Sequence, residues 1–199
     1  YHPVKRHLLG VRFNPFQCQS TGEDLLQLEH HIGLPDDNPT ANGKRVYQKT
    51  PWLIYEREHD WIYVSYSHLN TGRVINKIAY FDNAYKHGKI FHKDDKMFRI
   101  GNWNALTSFP SDQIWLQQVL PQRRAFYIHS SALILDGSGL VFIGHSEAGK
   151  STISKMLLKR GAEILCDDRN ILKNRNVRWY VYGTWSHGEV PMVSQACAP

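Results

Sequence analysis

"VFIGHSEAGKSTISKMLLKRGAEILCDDR", residues 141–169, joins a short apolar run, a glycine-lysine-serine loop, an amphipathic stretch and two adjacent aspartates. Residues 144–151 fit G-x-x-x-x-G-K-[ST], and they stand where that pattern has a mechanism, after a predicted strand and at the opening of a predicted helix. Glycine at 144 and 149 lets backbone N–H groups turn inward toward phosphate oxygens. The helix N-terminus adds partial positive charge. Lys150 brings a full charge to the β- and γ-phosphates, and the Ser151 hydroxyl can ligate Mg²⁺. The nucleotide-binding candidates are Gly144, His145, Ser146, Glu147, Ala148, Gly149, Lys150, Ser151 and Thr152.

Many proteins with such a loop carry the acidic partner on a distant strand of a doubly wound parallel sheet. Only 49 residues follow Lys150 in this chain of 199, too few for the several βα units that such a sheet needs. The loop is therefore expected on a sheet built from preceding strands, with the acidic element close behind it. Asp167 and Asp168 meet that need after one helix and one strand. Neighbouring residues of a strand point to opposite faces, so one carboxylate can face metal or substrate while the other anchors the turn.

Upstream, "FYIHSSALIL" is a strand candidate, followed by a turn at 136–139 and the strand "LVFIG". A helix is expected from about Lys150 to Lys159, stopped by Gly161. "AEIL" and "VRWYVY" are further strands. Ser111 can cap a short helix over "DQIWLQQVL" that Pro121 ends. In the first half, "PWLIYEREHDWIYVSYS" reads as a hairpin around a polar turn at 56–60. "GRVINKIAYFDN" and "KIFHKDDKMFRI" are strands, and the Pro-, Gly- and Asn-rich residues 33–51 read as one long loop. The expected organisation is a β-rich region over 1–110 that takes part in substrate binding, followed by a nucleotide-binding catalytic region over 111–199.

The formal net charge of +6 and a pI near 9.2 suit an anionic ligand or acidic partner. The basic residues are scattered in sequence, which argues against nucleic acid as the partner. Three isolated cysteines without metal-ligand spacing favour a reduced, cytoplasmic setting. No apolar run approaches eighteen residues, so no membrane partner is expected.

Taken in order, His129, the loop at 144–151, Arg160-Gly161, Asp167-Asp168-Arg169 and "YGTWSHGE" at 182–189 resemble the C-terminal catalytic domain of HPr kinase/phosphorylase and the wider HPr kinase-like proteins. The resemblance covers about residues 125–190. It implies an α/β (α+β) fold, a mixed and largely antiparallel sheet carrying the phosphate loop, similar to phosphoenolpyruvate carboxykinase. It also implies ATP and Mg²⁺ as cofactors and phosphate transfer to a serine of a peptide or protein, such as a ribosomally made peptide precursor or a carrier protein. Carried over by position, Lys150 holds the transferred phosphoryl group, Ser151 ligates Mg²⁺ and Asp168 takes the serine proton. His129 orders the aspartates, Asp167 is a catalytic or metal-side residue, and Glu189 is a further metal candidate, with His187 beside it. The family often has Asp and Gly where this chain has His145 and Glu147. Its protein-gripping C-terminal segment has no counterpart before Pro199, so the catalytic region is expected to continue beyond that residue. A small-molecule hydroxyl kinase and a non-catalytic nucleotide-binding module fit the same loop, and a homo-oligomer is compatible with the family.

Overall fold

The computed structural model describes residues 2–3, 11–18, 24–36, 38, 41, 43–69, 72–99, 111–186 and 188–199. Within them the protein is mixed α/β and rich in strands, arranged as two sheets. The chain divides into two compact units: residues 1–9 with 20–115, and residues 10–19 with 116–199.

The first unit is built on a seven-stranded sheet. Its strands are β1 (His2–Pro3), β2 (Gln27–Ile32), β3 (Lys44–Lys49), β4 (Trp52–Glu56), β5 (Asp60–Leu69), β6 (Gly72–Asp82) and β7 (His87–His92). Their order across the sheet is β1-β2-β7-β6-β5-β4-β3, antiparallel throughout except for the parallel β2–β7 pair. The β4–β5 hairpin forms where the polar turn predicts it, closed by Arg57 N–H donating to the Asp60 carbonyl at 2.9 Å and by the Arg57–Asp60 ion pair. Leu53, Ile62, Val64, Tyr66, Ile78 and Phe91 form its core cluster.

Two expectations change here. Residues 33–51 are not one loop, because 44–49 form β3 at the sheet edge. Every residue of β3 is exposed, so it lacks the apolar alternation by which a strand is read. The strand expected over "KIFHKDDKMFRI" ends at His92, and α1 (Lys96–Arg99) follows it. The side chain of Asp94 accepts the Lys96 N–H at 3.1 Å, an acidic start that a strand cannot use.

His92 closes β7 inside this unit with its ring almost fully buried. Its Nε2 meets His30 Nδ1 at 2.9 Å, and its ring packs edge-on to Phe98. Burial, with the neighbouring His30, Lys77 and His31 adding to it, pulls the His92 pKa down to about 2. Lys77, which pairs with His92 across the strands, is lowered to about 8, mainly by burial and against the pull of Asp112 and Asp94.

Helix α2 (Ser111–Val119) carries the chain into the second unit and ends before Pro121, as Pro's missing N–H and fixed φ require. The second sheet comprises β8 (Ala125–Leu135), β9 (Ser138–Ile143), β10 (Glu163–Cys166), β11 (Arg169–Arg175), β12 (Arg178–Tyr182) and β13 (Cys197–Ala198). All of its pairings are antiparallel: β10 and β11 both pair with β8, β12 pairs with β11 and β13 with β12, and β9 pairs with the other side of β8. Helix α3 (Lys150–Leu158) follows β9 and is left through Gly161, whose φ of 87° only glycine adopts at little cost.

Strand β8 organises this sheet. Its C-terminal half pairs with β9 and β10, and its N-terminal half pairs with β11. Strands β10 and β11 lie end to end along one side of β8 with Asp167 and Asp168 at the junction, and the pairing offset is the same at Cys166↔Ala132 and Arg169↔His129. Two apolar clusters fill the two faces. Leu133, Ala162, Ile164 and Val190 pack with Leu157 of α3 on one. Ala132, Leu165 and Val181 pack with Leu172 and Val141 on the other. Leu133, Ile164 and Leu165 are almost fully buried, each side chain contributing about 1.5–3 kcal/mol.

Candidate functional site

The loop at 144–149 leaves β9 directly after Ile143, which pairs with Ser130 of β8. On the opposite side of β8, Ser130 N–H donates to the Asp168 carbonyl at 3.0 Å. Ile143, the residue before the loop, and Asp168 therefore flank Ser130 of β8 at one level, two inter-strand spacings or about 10 Å apart, and Gly144 follows one residue farther along. An antiparallel sheet brings the loop and the aspartates together without the long crossovers of a parallel one.

Backbone geometry shapes the loop. Gly149, at the N-terminus of α3, has a φ of 84°, and Glu147 a φ of 67°. The left-handed pair turns the chain sharply into the helix. Lys150 Nζ donates to the carbonyls of Gly144 (2.9 Å) and His145 (2.8 Å), so the ammonium lies across the loop. Ser151 is half-buried in the first turn of α3, while His145, Ser146, Glu147, Ala148 and Thr152 are exposed. His145 Nδ1 donates to the Ser146 carbonyl at 2.5 Å.

The two aspartates have different surroundings. Asp167 is 4% exposed. Its Oδ1 accepts the Ser131 hydroxyl at 2.7 Å, and its Oδ2 accepts the Val190 N–H at 3.1 Å. The Ser131 hydroxyl also meets Ser154 of α3 at 2.6 Å. One hydrogen-bonded chain thus runs from the helix that opens at the loop, through β8, to Asp167. Ser151 stands one turn before Ser154, on the same side of α3. Gly188 crosses Asp167 so closely that a Cβ there would lie 2.8 Å from the Asp167 carbonyl oxygen, which explains glycine in the 182–189 stretch.

Asp168 is half-buried. Its Oδ2 accepts the Ser186 hydroxyl, and its Oδ1 lies 3.2 Å from His129 Nδ1. The same Nδ1 is 3.0 Å from the Asp168 carbonyl. Both partners are acceptors, so Nδ1 carries the proton. Arg169 Nε is 3.8 Å from Asp168 Oδ2, a loose contact. Glu189 lies apart from this group as an exposed partner of Lys155 at 2.7 Å, a contact that raises the lysine pKa. His187 lies outside the described residues.

Several supporting residues carry no signal in the sequence. Ser131 and Ser154 read as ordinary polar positions until the sheet and helix bring them together. Asn170 is fully buried and donates to Ser130 and to the Cys166 carbonyl, tying the junction to β8. Thr184 donates to the Arg169 carbonyl at 2.6 Å. Burial pushes the Cys166 thiol up, and it donates to the Ser186 carbonyl. Phe13 and Phe16, from a 3₁₀ turn at Val11–Phe16, pack against Trp185 beside Ser186.

Among the described residues no three His, Cys, Asp or Glu side chains converge on a point that could hold a metal. The donors present are the Ser151 hydroxyl and the carboxylates of the β10–β11 junction. These are hard oxygen donors, the type that Mg²⁺ takes together with a substrate's phosphates. No helix among the described residues is long and apolar enough to cross a membrane. No protein-family model matches the chain, and no curated protein matches it in sequence.

Proposed function

We propose that the second unit is an HPr kinase-like catalytic centre that uses ATP and Mg²⁺ to phosphorylate a serine hydroxyl of a peptide or protein. The observation that carries this reading is the register that sets Ile143, the residue before the glycine-lysine-serine loop, and Asp168 on the two sides of Ser130 in β8. Phosphoryl transfer asks little covalent chemistry of a protein and is mostly positioning and charge stabilisation.

In this reading the loop N–H groups and the N-terminus of α3 take the phosphates, and Lys150 exchanges its loop carbonyls for the β/γ-oxygens. Bound Mg²⁺ supplies neutralisation of the phosphate charge, with the Ser151 hydroxyl among its ligands. Asp168 accepts the proton of the acceptor serine. His129, held as an Nδ1 donor, and Ser186 fix that carboxylate in place. Asp167 supports the site through Ser131 and Val190, which keeps the strand junction in register with α3.

The test is mass-detected phosphate transfer from ATP to serine-containing peptides and proteins with the purified chain. Transfer to serine that requires Lys150 and Asp168 supports the reading. Phosphate appearing only on free small-molecule hydroxyls points to the small-molecule kinase instead. Nucleotide binding without any transfer points to a non-catalytic module, for which the exposed Glu147 on the loop speaks.

A further inference from the structure

Strands β8, β11 and β12 contain no Asp or Glu. They do contain Arg169, Lys173, Arg175 and Arg178, and the pairings place these four on one face. The register is decisive, because Arg169 pairs with His129, Lys173 with Tyr180, and Arg175 with Arg178. Antiparallel partners share a face, and so do alternate residues of one strand. His129, the partner of Asp168, therefore stands at one end of this strip and Arg175 at the other.

The same face of β8 carries Ser131 and Leu133 farther along, where Ser154 and Leu157 of α3 cover them. The strip thus lies on the side of the sheet that holds the loop's helix, and it continues from the proposed site. Aromatic rings lie within it. The Arg175 guanidinium sits over Tyr180 at 5.5 Å and over Tyr182 at 5.2 Å. Stacking on rings pre-orders an arginine, so its donor fork is held ready for a carboxylate. At the tip of the hairpin, Asn176 and Val177 both have positive φ, and Val177 is 94% exposed. A two-residue turn with both central residues at positive φ is the one that matches the twist of an antiparallel hairpin, and it holds β11 and β12 in register.

We infer that this face of the β8–β11–β12 sheet docks the acceptor as an extended, acidic peptide segment, an inference that rests on the kinase reading above. Charge complementarity selects the occupant: Arg169 already contacts Asp168, and Lys173, Arg175 and Arg178, with no acid among their strands, favour carboxylates. Lys173 and Arg175 stand five and seven residues along from Asp168. A peptide of similar rise, with its serine at Asp168, brings its residues about five to seven positions away over Lys173 and Arg175.

The experiment uses the full chain and three fluorescein-labelled probes. One is a serine peptide of Ser, Ala and Gly with Glu at the fifth to seventh positions from the serine. The second has Lys there, and the third is an oligouridylate of the same length. Anisotropy titrations at two salt concentrations should show the Glu peptide binding about tenfold tighter than the Lys peptide, with the gap narrowing at high salt. The double variant Lys173→Glu/Arg175→Glu should reverse the preference, and Arg175→Ala alone should reduce it with an unchanged melting temperature. Equal binding of both peptides, or a Glu preference that survives the double variant, overturns the inference. Tighter binding of the oligouridylate also overturns it and assigns the face to nucleic acid. Phosphate transfer is followed separately. Charge-dependent binding without transfer overturns the kinase reading and leaves the docking face standing, whereas transfer without charge dependence does the reverse.

Discussion

His129 Nδ1 lies 3.0 Å from the backbone carbonyl of Asp168 and 3.2 Å from its carboxylate Oδ1. One N–H thus spans two acceptors of the same residue and fixes the side chain relative to its own backbone. That leaves Nε2 without the proton when the ring is neutral and aims a defined carboxylate outward. The relationship follows from a single pairing, Arg169 with His129 across β11 and β8.

Asp168→Asn tests the base directly. The amide keeps the shape and can still meet Ser186, so folding and nucleotide binding should survive. Phosphate transfer should fall by about 10²- to 10⁴-fold, the usual contribution of a positioned base. Full turnover in the variant would remove Asp168 from that role.

Lys150→Ala should behave differently. On the proposed kinase reading the ammonium serves both ground-state binding of the nucleotide and turnover, so both KM for ATP and kcat should deteriorate. A fluorescent ATP analogue and single-turnover transfer separate the two effects. Unaltered nucleotide affinity would show that the lysine stays on its Gly144 and His145 carbonyls.

Asp167→Ala is expected to act on stability. It strips partners from the buried Ser131 hydroxyl and the Val190 N–H, leaving donors unsatisfied in the interior. The cost should be about 2–4 kcal/mol in urea unfolding, given a charged acceptor with two buried donors. A loss below about 0.5 kcal/mol would mean that the Ser131–Ser154 bond carries the junction without it.

Acid should destabilise the first unit through His92. Its folded pKa of about 2 lies below the ordinary value of 6.5, so the unfolded chain binds the proton more tightly. The stability from keeping the ring neutral is fully present above pH 6.5. It is lost as pH falls toward 2, at about 1.4 kcal/mol per pH unit. His92→Gln should flatten the acid limb of the stability profile, measured by urea melts between pH 4 and 7. Parallel profiles for the two proteins would refute the assignment.

Much of the architecture around the site can be read from residues alone. The strand-loop-helix at 138–158 announces itself through a short apolar run, glycines and helical spacing, all local signals. The β4–β5 hairpin is equally plain, because alternation and turn chemistry act over a few residues. Strand β11 is not legible in "RNILKNR", where one face is basic and the other meets the interior with Asn170 and Leu172. Its identity comes from pairing with β8, a contact across about forty residues of chain.

The division of labour between the two aspartates belongs to the tertiary structure as well. Adjacent carboxylates look alike in a sequence, and the alternation of a strand says only that they differ. The end-to-end arrangement of β10 and β11 on β8 decides which one is sealed under Ser131 and Val190 and which one meets His129. Short-range chemistry, the glycines, the lysine and the serine at fixed spacing, is written in the chain because backbone turns are local. The meeting of His129 and Asp168, beside the strand that leads into the loop, is settled only when an antiparallel sheet brings strands distant in sequence to one level.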